Sequence, residues 1–299
     1  MSSFDKNINS IKIPLIDIKA ATNNFADENY IRQGRHRKIY KGQLLRSEKL
    51  INIVALCFDS KSWRGRKEFM TEIVMLCSLK HQNLASIVGF CEEDDEKIII
   101  SKFEANGNLD QYLSDHVTLT WTQRLQICLG VARALSYVHY DKKRNFSLIH
   151  TNVKSSKILL DDNWEPKLFG FELSKMQPVA RRQGIVLDRL VSGTGAYVDP
   201  AFVKSGGVTH KSDVYSLGVV LYEVLCGRKA FVQTSKHVVP EEMVHPTLSG
   251  VYDYIIREPM THIQQDNLSI LFTMNMFRSM QDLCSFMWKS SRSKLFLVD

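Results

Sequence analysis

The chain has 299 residues, 44% of them hydrophobic and 24% charged, which is enough for one large domain or two lobes and too apolar for a mainly disordered state. Its formal net charge is +7, yet the basic residues fall in short clusters such as 64–67 and 142–144. Scattered clusters of this kind read as solvated faces and argue against a nucleic-acid or lipid footprint. Cys57, Cys77, Cys91, Cys128, Cys226 and Cys284 stand far apart in apolar stretches. Without close pairing they predict buried thiols in a reducing compartment and no metal site. Met1-Ser2-Ser3-Phe4-Asp5-Lys6 has no apolar signal core, and Ser2 stands where N-myristoylation needs glycine. No apolar run reaches the ~18 residues of a membrane span. The expected location is cytoplasmic, without direct membrane insertion.

In chain order, residues 51–58 and 97–103 carry apolar and β-branched runs of strand length. Between them Phe69, Ile73 and Leu76 recur at helical spacing, as do Leu125, Leu129, Ala132 and Leu135 further on. Ser212-Asp213 opens another periodic stretch through Val214, Leu217, Leu221 and Val224, with Gly227 where a helix would stop. Strands early and helices late predict an α+β arrangement: a small β-rich lobe to about residue 104, then a larger α-helical lobe.

The motifs go further. The stretch Leu15-Ile16-Asp17-Ile18-Lys19-Ala20-Ala21-Thr22-Asn23-Asn24-Phe25 resembles the lead-in of the plant receptor-like protein kinases, and Tyr40-Lys41-Gly42 follows it. His81-Gln82-Asn83-Leu84, Val88-Gly89-Phe90-Cys91, Ala105-Asn106-Gly107-Asn108-Leu109, Leu119-Thr120-Trp121 and Lys154-Ser155-Ser156 resemble the same family in order and spacing, as does 211–220. The resemblance covers roughly residues 12–235 and implies the bilobal protein-kinase fold. It divides the chain into a lead-in (1–24), an N-lobe (25–104) and a C-lobe (105–299), whose last part, about 253–299, is atypical.

Family chemistry needs backbone amides over the phosphates, a lysine on the third strand, a metal-binding Asp and Asn, and a catalytic Asp. The glycine-rich loop G-x-G-x-x-G-x-V aligns with Arg32 to Ile39 and keeps only Gly34. Val54-Ala55-Leu56-Cys57 places a thiol at the lysine position, which leaves Glu72 without its partner and predicts a solvated helix residue there. The catalytic loop reads His150-Thr151-Asn152-Val153-Lys154-Ser155-Ser156-Lys157, with Asn152 for the catalytic Asp and Lys157 for the metal-binding Asn. The D-F-G triplet is Gly170-Phe171-Glu172, and by strand-like alternation Glu172 should point away from the Phe171 ring, a poor substitute ligand. Thr151 replaces the arginine that meets a phosphorylated activation loop, and Ala201 replaces a glutamate. Each loss alone is worth on the order of 10³ in rate. With so many together, the resemblance implies a pseudokinase in which Cys57, Asn152, Lys157 and Gly170 are degenerate and Glu72 and Lys154 are retained. No functional catalytic residue and no metal are expected.

The family's stacked core positions map onto Leu76, Ile87, His150 and Phe171, anchored by Asp213, and all are chemically compatible. A folded core wants them whatever the activity, so they favour a stable scaffold. No cofactor is expected. A metal-free ATP site built from Arg35, Arg37, Lys154 and Lys157 is the alternative, with a pocket of Gly34, Arg37, Ile39, Ala55, Ser101, Phe103 and Leu159. The resemblance implies a binding function, with active receptor-like kinases as partners and peripheral membrane recruitment only through them. A Ser/Thr kinase with noncanonical ATP binding and a degenerate product are the competing readings. Beyond about Tyr252 the pattern fades, and Met260, Met274, Met276, Met280 and Met287, with Leu271 and Phe277 at helical spacing beside Met274, read as core filler.

Overall fold

The computed structural model describes residues 9–230 apart from 35, 116, 183 and 188–192. Arg35, Cys284, the side chain of Cys226 and the methionine-rich stretch therefore lie outside the described residues, as does the whole of 231–299, including the atypical 253–299 region.

A short helix α1 (Leu15–Ala21) precedes an antiparallel sheet formed by β1 (Tyr30–Gln33), β2 (Arg37–Arg46), β3 (Lys49–Phe58), β4 (Ile87–Cys91) and β5 (Lys97–Lys102), in the order β1-β2-β3-β5-β4. Both faces of this sheet are buried, each by a different helix. On one face α2 (Trp63–Ser78) packs Phe69, Ile73, Met75 and Leu76 against Ile39, Leu56, Phe58, Phe90 and Ile99. On the other, Leu15 and Ile18 of α1 cover Leu44, Ile53, Ala55, Ile98 and Ile100. Burying both faces explains why β3 and β5 read as continuous apolar runs instead of alternating ones.

The register of β3 is set by its turn. Ser47 and Glu48 both adopt positive φ (48° and 62°), the two-residue geometry that matches strand twist, and the ladder runs from Arg46↔Lys49 to Ile39↔Leu56 and Arg37↔Phe58. Because side chains alternate with period two, this register puts Leu56 and Phe58 on the face of Ile39 and α2, and Ala55 and Cys57 on the face of α1.

The second lobe is built on α3 (Trp121–Tyr140) and α5 (His210–Cys226). Thr120 caps α3 in a reciprocal capping box with Gln123, and Thr209 does the same for α5 with Ser212. Gly227, at φ 65°, ends α5 where the sequence placed the stop. The core-facing stripe of α3 is rotated from the predicted one: Ile127, Cys128, Val131, Ala134 and Val138 are buried beside Ala132 and Leu135, while Leu125 and Leu129 are half-buried. Three small ribbons complete the lobe, pairing β6 (Phe146–Ile149) with β9 (Lys175–Pro178), β7 (Ile158–Leu160) with β8 (Pro166–Leu168), and β10 (Val186–Leu187) with β11 (Gly207–Val208), the last next to α4 (Pro200–Ser205). No helix of the described residues is long and apolar enough to cross a membrane.

Candidate functional site

Four segments converge between the lobes: the β1–β2 turn, α2, the loop from His150 to Lys157, and the segment after β8. They enclose a cleft of about 710 Å³.

The catalytic-loop segment is held from beneath by Asp213 of α5. Its fully buried carboxylate accepts the backbone N–H groups of His150 (2.7 Å) and Thr151 (2.8 Å) and lies 2.7 Å from His139 Nε2. Thr151 sits at φ 66°, a left-handed conformation unfavourable for a β-branched residue, so the carboxylate is what holds the loop in this shape. The His150 ring packs against that of Phe171, tilted by 60° with centroids 4.6 Å apart. Leu76, Phe171 and the half-buried Ile87 thus share one apolar core, with the His150 ring against Phe171 and the His150 backbone N–H on Asp213.

The polar side of the cleft is organised around Glu172. Its carboxylate accepts Lys157 Nζ at 2.6 Å and Asn152 Nδ2 at 3.4 Å, and pairs with Arg37 at 3.5 Å. Burial disfavours charge on Glu172, but Lys157 and Arg37 hold it well below the usual carboxylate range. Burial, then repulsion from Arg37, brings Lys157 down to about 8. Burial also opposes charge on Arg37, which Glu172 and Glu72 nevertheless raise above its ordinary value. Alternation directed Glu172 away from the Phe171 ring, and it does turn away, straight into this cluster. The feature that would have exposed its role is the charge exchange across three positions: a carboxylate lost at 170, a cation gained at 157 and a carboxylate gained at 172.

Two expectations are corrected by these placements. Glu72 is not a solvated helix residue: it is 4% exposed, one of its carboxylate oxygens is buried without a hydrogen-bond partner, and it is pushed up to about 8 by burial and then by the Glu172 charge. Cys57 and Ala55 do not face the cleft. The β3 register turns both onto the α1 side, where burial pushes the Cys57 thiol up to about 12, while Leu56 and Phe58 lie on the face of Ile39 and α2, in the apolar core. Arg37 lies over Phe58 at 5.5 Å, so the cation facing Glu172 comes from the position of the third loop glycine, not from the third strand.

Gly170 and Lys157 fit only each other. At Gly170 (φ 85°) a β-carbon would fall 2.5 Å from Lys157 Cδ and against its ammonium, so the lysine occupies the volume that a side chain at 170 would need. Gly170→Ala is therefore expected to cost ~3 kcal/mol, combining overpacking with left-handed strain. In a Lys157→Ala background only the strain remains, ~1–2 kcal/mol. Urea denaturation of the four proteins checks this, and strictly additive costs would contradict it.

Glu72 makes stability depend on pH in a defined direction. Its folded value lies above its unfolded one, so between about 4.5 and 8 the folded state binds the proton that the unfolded state has released, and this contribution declines as pH rises through that window. Glu72→Gln is thus expected to gain melting temperature relative to the parent as pH goes from 5 to 8, a difference that thermal melts at several pH values would read directly.

Lys154 donates to Thr194 Oγ1 (2.9 Å), which in turn donates to Asn152 Oδ1 (3.3 Å). Of the expected nucleotide pocket, Gly34, Arg37 and Ile39 line the cleft, whereas Ala55, Ser101, Phe103 and Leu159 do not. Sequence reasoning did not single out Lys67, Glu68, Thr71 or Thr194, all of which line it. Among the described residues no group of His, Cys, Asp and Glu could hold a metal ion.

A protein kinase domain family matches residues 25–294. Three curated relatives from Arabidopsis thaliana place the similarity more finely. Receptor-like protein kinase HERK 1 is 40% identical over 247 residues, 82% of this chain and 28% of its own length. Receptor-like protein kinase FERONIA is 39% identical over 220 residues, 73% of this chain and 24% of its own. Receptor-like protein kinase THESEUS 1 is 39% identical over 231 residues, 77% of this chain and 26% of its own. The chain thus spans about a quarter of the length of these relatives.

Proposed function

We propose that this chain, which belongs to the protein kinase family and within it to the plant receptor-like kinases, is a non-catalytic member that works by binding. The observation that carries this reading is the pairing of Glu172 with Lys157 and Arg37. Family chemistry places a metal bound to the nucleotide at this point, and here a buried ammonium stands in the space beside Gly170. The residues present do not fit magnesium: the Glu172 carboxylate is neutralised by two cations, and Lys157 would repel a divalent ion. Asn152 stands where the reaction requires a carboxylate to accept the substrate proton, and an amide has no such basicity. No step of phosphoryl transfer can be routed through these side chains, and ATP without magnesium remains the only nucleotide form compatible with the cations of the cleft.

The partner proposed is the kinase domain of an active receptor-like kinase, and any membrane association would come through that partner. Support comes from similarity to receptor-like kinases along 73–82% of the chain and from the shared apolar core of Leu76, Ile87 and Phe171, which would keep a kinase-shaped surface without catalysis. The test is to titrate the purified chain into an active receptor-like kinase domain, following association and the partner's autophosphorylation. Saturable association with a changed autophosphorylation rate is expected. Absence of association with any such domain would remove the docking part of the proposal.

A further inference from the structure

Away from the inter-lobe cleft, a second groove of about 740 Å³ runs beside the segment from Met176 to Leu187. Two strands border it. Among the described residues β9 pairs only with β6, and β10 pairs only with β11. Each is the edge of a two-stranded ribbon, so each keeps one row of backbone N–H and C=O groups that no described strand takes up.

The floor of the groove is apolar. Val186 packs against Ile149, Phe202 and Val208, so by alternation Ile185 and Leu187 turn the other way, alongside Gly207, where a β-carbon would collide with Ile185 and touch Leu187. Ile185 is 60% exposed, Leu187 77% and Met176 42%. Three large apolar side chains open to solvent along one groove mark an interaction surface.

Its charge has one sign. The lining holds Arg181 and Arg182 and no carboxylate, and neither arginine forms an ion pair with a described residue. Arg181 is exposed. Arg182 lies over the Tyr140 ring at 5.4 Å, and its Nε is buried without a hydrogen-bond partner.

We infer that this groove takes an extended segment of a partner protein in which apolar residues alternate with carboxylates. The segment adds a third strand to the β6–β9 ribbon, its apolar side chains cover Met176, Ile185 and Leu187, and its carboxylates meet Arg181 and Arg182. The groove shares no lining residue with the cleft around Glu172, so the surface is the same whether or not that cleft takes a nucleotide.

Fluorescence anisotropy of the full chain with labelled synthetic peptides tests this. The probe is a short peptide alternating valine and glutamate, and the controls are the alternating valine–lysine peptide and a peptide of the probe's composition with its valines and glutamates in two separate blocks. Saturable binding of the probe is expected, with the lysine peptide weaker by about tenfold or more and the block peptide weaker as well. Hydrogen exchange on the saturated complex should slow at the amides of 175–187. Leu187→Ser and Arg181→Glu both alter exposed side chains. The first should weaken the probe about tenfold, through lost apolar burial. The second should turn the preference towards the lysine peptide. No binding of the probe, equal binding of the lysine or the block peptide, exchange slowed only outside 175–187, or unchanged affinity in both variants would each overturn the inference.

Discussion

Glu172→Gln is expected to lower folding stability by about 3 kcal/mol, read as a shift in the urea midpoint at neutral pH. Glu172 is 8% exposed and Lys157 6% exposed, so the variant leaves two buried cations facing an amide. Breaking a buried ion pair from one side commonly costs ~3–5 kcal/mol. The lower end applies because Glu72 stands ready to compensate: the charge of Glu172 is one reason that it stays protonated, and it would ionise beside Arg37 and Lys157 once that charge is gone. A double variant with Glu72→Gln lacks this relief and should cost more than the two single changes added. Lys157 supplies the pH signature. Its folded value is lowered to about 8, so between that and its unfolded value of 10.5 the unfolded state binds more protons and stability rises with pH. Loss of Glu172 lowers the folded value further, so in the variant the rise begins at lower pH. An unchanged midpoint would mean that the cluster contributes nothing to the fold.

Asp213→Ala should cost on the order of 4 kcal/mol and loosen the His150–Lys157 loop. Removing the carboxylate strands the backbone N–H of His150 in a buried site and that of Thr151 in a half-buried one, at ~1–3 kcal/mol each with the lower end for Thr151, and leaves His139 without its 2.7 Å partner. Thr151 would then have nothing to offset its positive φ. Asp213→Asn offers one acceptor oxygen in place of two and should fall between parent and alanine. Hydrogen exchange at the His150 and Thr151 amides checks the local effect, which should exceed that at amides in the middle of α3. Parent-like protection at both would show that the loop holds its shape without Asp213.

The lobes and the stop at Gly227 were legible in the sequence because each rests on local signals, as were Leu76, His150 and Phe171 at fixed offsets within motifs, whereas the caps Thr120 and Thr209 were not singled out and α5 starts at His210, ahead of the expected Ser212-Asp213. The register of β3 was not legible either. Aligning Val54-Ala55-Leu56-Cys57 to a motif assigns residues to positions, but which of them face the cleft depends on the turn at Ser47-Glu48, and a shift of one residue exchanges the faces. Glu72 was misjudged for a related reason. Losing a lysine partner suggested solvent, whereas the site replaced that partner with Arg37 from another strand and with the proton Glu72 retains. Glu172 drew little weight because its chemistry comes from Lys157, 15 residues away, and Arg37, 135 residues away. Long-range ion pairing leaves no periodicity to read.

The central claim, that a buried ion-pair cluster stands where the family carries out metal-dependent phosphoryl transfer, is tested most directly by incubating the purified chain with γ-labelled ATP, with magnesium or manganese, and with a general protein substrate. The account predicts label incorporation no greater than that of an Asn152→Ala/Lys157→Ala variant, with either metal. Metal-dependent incorporation that this variant abolishes would contradict it.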